Sequence, residues 1–289
     1  MVGLFKDLSA DQANAYGLVL SSSGISHRVT KGRRGWDIWV HDVDYEKALN
    51  TIQQYLDEEQ DLQPTDELLS HKYPKTFTGL WVSGLLLACH VAATVGHGHQ
   101  VFVKAYGSSA FHVVHGQWYR AVTSLMIHAN PLHLAGNMVG IALFGTAVCT
   151  MMGWGVGWLM ILATGMTGNL INALLYRTGH VSVGASTAVF GAIGILAAYQ
   201  FMRKFRLPGQ RMKAWLPLAG GVALLGLLGS GQYADLMAHL FGFAAGIVLG
   251  AIYAVFVRRP AARGYQACCL LLALSLLVTS WMRALGYIG

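Results

Sequence analysis

At 289 residues, with 54% hydrophobic and 11% charged side chains and a mean hydropathy of +0.47, the chain is too apolar for a soluble domain of its length and reads as a membrane protein. Its net charge of +7 does not point to nucleic acid, because the basic residues beyond position 70 fall between apolar runs, where anionic lipid and topology account for them. The four cysteines, Cys89, Cys149, Cys268 and Cys269, lie inside apolar stretches without C-x-x-C spacing, which argues against a disulfide framework or a zinc site.

Of 13 acidic residues, all but Asp235 precede residue 70. The chain therefore divides into a soluble head, residues 1–70, and a membrane body, residues 71–289. Asp7 and Asp11 interrupt any signal peptide, so the head is expected to stay on the side where it is made. Within it, Leu18–Leu20 and Trp36–Val40 read as short strands, with the basic turn Lys31-Gly32-Arg33-Arg34-Gly35 before the second. Asp44 is the expected N-cap of a helix whose apolar positions are Tyr45, Ala48, Leu49, Ile52, Tyr55 and Leu56. The acidic run Asp57–Glu67, which contains Pro64, reads as a solvated linker. The head is thus a small α+β domain without evident chemistry.

After Lys75 the apolar runs are about 17 to 24 residues long, the length needed to cross a hydrocarbon core of about 30 Å. They predict spans near 77–95, 131–151, 155–176, 186–202, 214–230, 235–257 and 266–282. With the head inside, the inner segments hold Lys72, Lys75, Arg203, Lys204, Arg206, Arg211, Lys213, Arg258, Arg259 and Arg263, and the outer ones only Lys104, Arg120, Arg177 and Arg283. That imbalance predicts a cytoplasmic head. Ser186 lies 17 residues before Arg203 and His239 lies 19 before Arg258. At the helical rise both sit roughly 25 to 29 Å from the charges that close their spans, hence at one depth, in the outer part of the bilayer.

Polar groups at this depth need a partner or a purpose. The densest cluster runs from His128 to Asn137. Pro131 suits a first helical turn, and His133 and Asn137, four apart, share one face. Two such donors can stabilise the oxyanion of acyl transfer, each by about 2.7 to 4 kcal/mol, or simply hold helices together. Ser186 follows Gly184 at a helix start, among backbone N–H groups without intrahelical acceptors; a serine in such a run also commonly bonds its own backbone. His239 is a general-base candidate. Asp235, one turn earlier, either orients that imidazole or marks the water interface. Gly242, Gly246 and Gly250 form a close-packing face, which Gly191 and Gly194 can meet. Neither HExxH nor a carboxylate beside His97, His99, His112 and His115 supports a metal site, and one membrane carboxylate excludes aspartyl chemistry.

In these motifs the chain resembles the rhomboid family of intramembrane serine proteases. Trp118-Tyr119-Arg120 resembles the family's Trp-Arg loop motif, His128 and His133-x-x-x-Asn137 its second-span histidine and asparagine, Gly184-Ala185-Ser186 its GxS nucleophile, and Ala238-His239-Leu240-x-Gly242-x-x-x-Gly246 its sixth-span motif. The resemblance implies an all-α polytopic bundle of six core helices plus a seventh, a Ser186–His239 dyad, and an oxyanion site from the Ser186 N–H, His133 and Asn137. His128, Gly184, Phe190, Trp118, Arg120, Gly242 and Gly246 would support it. Two positions depart from the family pattern: Thr187 stands where glycine is common and adds bulk beside the nucleophile, and Phe190 stands where tyrosine is frequent. Activity with altered substrate preference is expected.

The expected function is hydrolysis of peptide bonds in transmembrane substrates, without metal or cofactor, in a bacterial inner membrane, with the site opening to the extracytoplasmic side. The competing readings are a catalytically silent rhomboid-like binder or chaperone, which retention of both Ser186 and His239 disfavours, and a transporter, which needs polar residues continuing to the inner face.

Overall fold

The computed structural model describes residues 1–69, 76–96, 98–207, 209–229, 235–257 and 261–286, without the side chains of 59–69, 96 and 99. Lys72, Lys75, Arg258, Arg259 and His97 lie outside the described residues. The chain forms two compact units, Met1–Ser70 and His71–Gly289.

The first unit runs β1 (Val2–Leu8), α1 (Ala10–Ser22), β2 (His27–Lys31), β3 (Trp36–Val40) and α2 (Tyr45–Leu69). The sheet has the order β1-β3-β2 with both pairings antiparallel. Alternation along β3 buries Ile38 and Val40, which meet Leu20 of α1 and Ala48 and Ile52 of α2. Three sequence expectations need correction. Leu18–Leu20 is the last part of α1, not a strand: Ser9 and Gln12 close a capping box that starts a helix at Ala10, and only Leu20 of the Leu18–Leu20 triplet faces the core at full burial. Asp44 ends a 3₁₀ turn, Asp42–Asp44, that leads into α2. Asp57–Glu67, expected as a linker, continues α2, since Glu, Gln and Leu are good helix formers whatever their charge.

The second unit opens with α3 (Thr78–Gly96), followed by a chain of short elements: α4 (His99–Tyr106), β4 (Ser108–Ser109), α5 (Ala110–Val114) and α6 (Arg120–Thr123). Then come α7 (Pro131–Gly140), a π-helical segment Ile141–Gly145, α8 (Thr146–Met152) and α9 (Trp154–Tyr176). β5 (Val181–Ser182) precedes α10 (Ser186–Phe205), α11 (Arg211–Leu228), α12 (Leu236–Phe256) and α13 (Arg263–Ala284).

Six described segments are long and apolar enough to cross a membrane: Thr78–Val95, Pro131–Met152, Trp154–Tyr176, Arg211–Leu228, Leu236–Phe256 and Arg263–Ala284. α10 has the length, 20 residues, but falls short in apolar character. It is packed against α9, α11 and α12, and eleven of its residues are buried. Its neighbours, rather than lipid, surround it. Glycines set the α10–α12 approach: a Cβ at Gly242, Gly246 or Gly250 would lie 2.2, 2.1 or 2.4 Å from the carbonyl oxygen of Thr187, Gly191 or Ile195, and one at Gly194 would lie 2.2 Å from that of Phe243. The backbones are therefore in contact from Gly242 to Gly250, a little over two helical turns.

α13 is fastened at both ends. Gln266, 1% exposed, accepts from the N–H groups of Gly155 (2.8 Å) and Val156 (2.9 Å) through Oε1, and donates to Met152 O (3.1 Å) through Nε2. It thereby caps the start of α9 from another helix. At the far end, Trp281 packs on Phe102 and Tyr106, with ring centroids 6.0 and 5.4 Å apart.

Candidate active site

Four chain segments meet where α7, α10 and α12 begin. Asn130 Oδ1 accepts from the His133 N–H (2.8 Å), and Pro131 takes the first helical position, so α7 starts at a defined residue. The segment leading to α10 is held by β4, which pairs Ser108 with Ser182 and Ser109 with Val181. Gly184 N donates to Ser124 O (3.0 Å), and Ala185 N donates to His128 Nε2 (3.3 Å). The fully buried His128 thus acts as an acceptor beneath the turn before Ser186.

Ser186 opens α10, and no side chain caps that helix, so its first backbone N–H groups lack intrahelical acceptors. Ser186 Oγ lies 2.7 Å from Nε2 of His239, which is 3% exposed. His239 Nδ1 faces Gly229 O at 3.3 Å. A hydrogen on Nδ1, donated to that carbonyl, leaves Nε2 bare to accept the serine proton. The Phe190 ring lies over His239 with centroids 4.7 Å apart and planes tilted by 32°, which limits rotation of the imidazole.

Gly184 joins the serine to His133. Its φ is +119°, and a Cβ there would lie 2.6 Å from His133 Cε1, 2.8 Å from His133 Nε2 and 3.4 Å from Ser186 Oγ. The His133 imidazole therefore sits over the glycine beside the serine hydroxyl. Asn137 is buried and donates one Nδ2 hydrogen to His133 O (2.7 Å), which leaves the second hydrogen of that amide. His128 and His133 meet edge to face, centroids 5.5 Å apart.

Other expected residues have different surroundings. The buried Arg120 bonds Gln117 Oε1 (2.6 Å) and the carbonyls of Lys104 and Gly107 (3.2 Å each), tying the short elements between α3 and α7 together. Trp118 lies edge-on to Tyr119. Gly242 and Gly246 set helix packing. Thr187 does not crowd the serine: its hydroxyl donates to Asn169 Oδ1 (3.0 Å), and its Cγ2 fills the space beside Gly168 and Gly242. Asn169 in turn donates to Ala121 O (3.0 Å) and Ser124 Oγ (3.1 Å).

Several residues near the site were not singled out from the sequence. Asn169 and Asn172, both buried, lie three apart on α9, and buried amides inside a span were the available signal. His180 and Ser124 carried none, because only the fold brings their segments together. Asp235 caps α12 by accepting from Ala238 N (3.1 Å), and its Oδ2 accepts from His180 Nε2 (2.6 Å) and Asn172 Nδ2 (2.7 Å). The side chains on Asp235 thus include His180, Asn172 and Ser182, whereas the His239 ring bonds Gly229 and Ser186.

A family model, the Rhomboid domain, matches residues 115–256, the stretch that contains Ser186, His239, His133 and Asn137. The chain is 35% identical over 140 residues to the rhomboid YdcA of Bacillus subtilis, covering 47% of this chain and 68% of that protein. It is 32% identical over 123 residues to Rhomboid protease GluP of the same organism, with 42% of this chain and 24% of the relative covered. Inactive rhomboid protein 2 of Homo sapiens is 28% identical over 156 residues, 54% of this chain and 18% of that protein. Taken with the bundle of apolar helices and the polar site at the head of three of them, these matches show that the chain belongs to the rhomboid family.

Proposed function

We propose that this chain is an intramembrane serine endopeptidase that hydrolyses peptide bonds in or beside the transmembrane helices of membrane-protein substrates. The observation that carries the reading is the 2.7 Å approach of Ser186 Oγ to His239 Nε2, with Nδ1 of the same ring set against Gly229 O. In this mechanism His239 takes the serine proton as Oγ attacks the scissile carbonyl, then gives it to the leaving amine; water hydrolyses the acyl-enzyme with His239 again as base. The Ser186 N–H, His133 and Asn137 receive the oxyanion. His128 and Gly184 hold the nucleophile's turn, and Phe190 the imidazole. No metal or cofactor enters the scheme. The head lies on the cytoplasmic side of a bacterial inner membrane and the site opens to the opposite face, where water for deacylation is available. Substrate helices with small or helix-weakening residues near that face would unwind into the site most readily.

The test is cleavage of a single-pass substrate in proteoliposomes by the wild type, Ser186→Ala and His239→Ala. Both variants are expected to lose cleavage while keeping the wild-type unfolding temperature. Cleavage that survives in Ser186→Ala refutes the mechanism, and a wild type silent on a panel of substrates favours the binding role that the likeness to an inactive relative also allows.

A further inference from the structure

The two elements that carry the serine and the histidine are linked a second time. His180 lies six residues before Ser186 and Asp235 four before His239. His180 Nε2 donates to Asp235 Oδ2 at 2.6 Å, with side chains 28% and 14% exposed, so this bond stands toward the polar rim and the Ser186–His239 bond below it. Each end is itself anchored. The His180 ring stacks on Tyr176 (centroids 4.2 Å, planes 19° apart), and its carbonyl accepts from Ala110 N (2.9 Å). Asp235 also accepts from Asn172 of α9, bonds the Ser182 side chain in the same segment before Ser186, and caps Ala238 of α12.

We propose that Asp235 and His180 are positioning residues for the reaction, fixing the register of α12 against the segment that presents Ser186; this rests on the protease reading above. The physical need follows from the chemistry. The Ser186–His239 hydrogen bond breaks when Oγ becomes acylated, so it cannot hold the histidine in place for deacylation. The Asp235–His180 link contains neither reacting atom and persists through both steps. It acts on the imidazole through the α12 backbone, one helical turn away, and not by contact with the ring. Loss of the link lets α12 shift against the serine, and misplacement of about 1 Å costs about 100-fold in rate.

The experiment measures kcat and KM for a single-pass substrate in proteoliposomes, with unfolding temperatures, for the wild type, Asp235→Ala, His180→Ala and the double variant. Each single variant is expected to lose about 10- to 100-fold in kcat with KM little changed. Because the two residues form one link, the double variant should be no slower than the worse single one. Should Asp235→Ala fail to fold for want of its cap, His180→Ala, which removes the His180 bond and leaves the cap, carries the test. Unchanged kcat in His180→Ala, multiplicative losses in the double variant, or a loss confined to KM would overturn the proposal. An inactive wild type would instead refute the protease reading.

Discussion

Gly184 meets two demands that no other residue satisfies together. Its φ of +119° lies where side chains are strained, and its missing Cβ is the space in which the His133 ring rests. Gly184→Ala is therefore expected to displace either the turn or the imidazole, with a loss of about 100-fold in cleavage rate and a strain cost of about 1 to 3 kcal/mol. Cleavage kinetics and thermal unfolding of the variant check both. At this scale much was legible: Ser186, His239, His133, Asn137 and Gly184 each stood out as a polar residue or a glycine at a chosen place in an apolar run. Thr187 was not. Its position predicts bulk beside the nucleophile, whereas its hydroxyl turns to Asn169, 18 residues earlier in the chain, and only the packing of α9 on α10 reveals that direction.

The α10–α12 pair is the element on which the Ser186–His239 distance depends. Their backbones approach so closely that a Cβ at Gly246 would lie 2.1 Å from Gly191 O, with no flexible side chain in between to yield. Gly246→Val must push the helices apart. Overpacking of this kind costs about 1 to 3 kcal/mol, and cleavage should fall with it even where the protein stays folded, because the widened gap separates Oγ from Nε2. A lowered unfolding temperature with unaltered cleavage would contradict this coupling. The glycine period made the interface readable before any coordinates. In the head, by contrast, three apolar residues in a row, Leu18–Leu20, carry no period, and the capping box at Ser9 was the better guide to the helix around them.

For the membrane unit as a whole, the Gln266 clasp and the candidate site lie at opposite ends. Gln266 binds three backbone groups at the α8–α9 turn, which follows the end of α8, whereas Ser186, His239 and His133 gather where α7, α10 and α12 start. Gln266→Leu leaves the N–H groups of Gly155 and Val156 unpaired, at about 1 to 3 kcal/mol for each that finds no new partner, and leaves Met152 O with the Tyr253 hydroxyl as its donor. A clear drop in unfolding temperature is expected, with cleavage by the folded fraction unchanged; equal loss of both would mean that the two ends are coupled. The run of apolar segments made the bundle legible from composition alone. The clasp was not, since a lone glutamine near a span end has the same appearance whether it faces water or another helix.

The seating of α10 also bears on how the protein is made. A growing chain delivers Ser186 53 residues ahead of His239, on a helix whose burial among α9, α11 and α12 takes the place of lipid. The last of those neighbours in the chain is α12, which carries both the glycine face and His239. On the proposed mechanism a partly synthesised chain carries a serine with no proton acceptor, and only the completed fold can cleave.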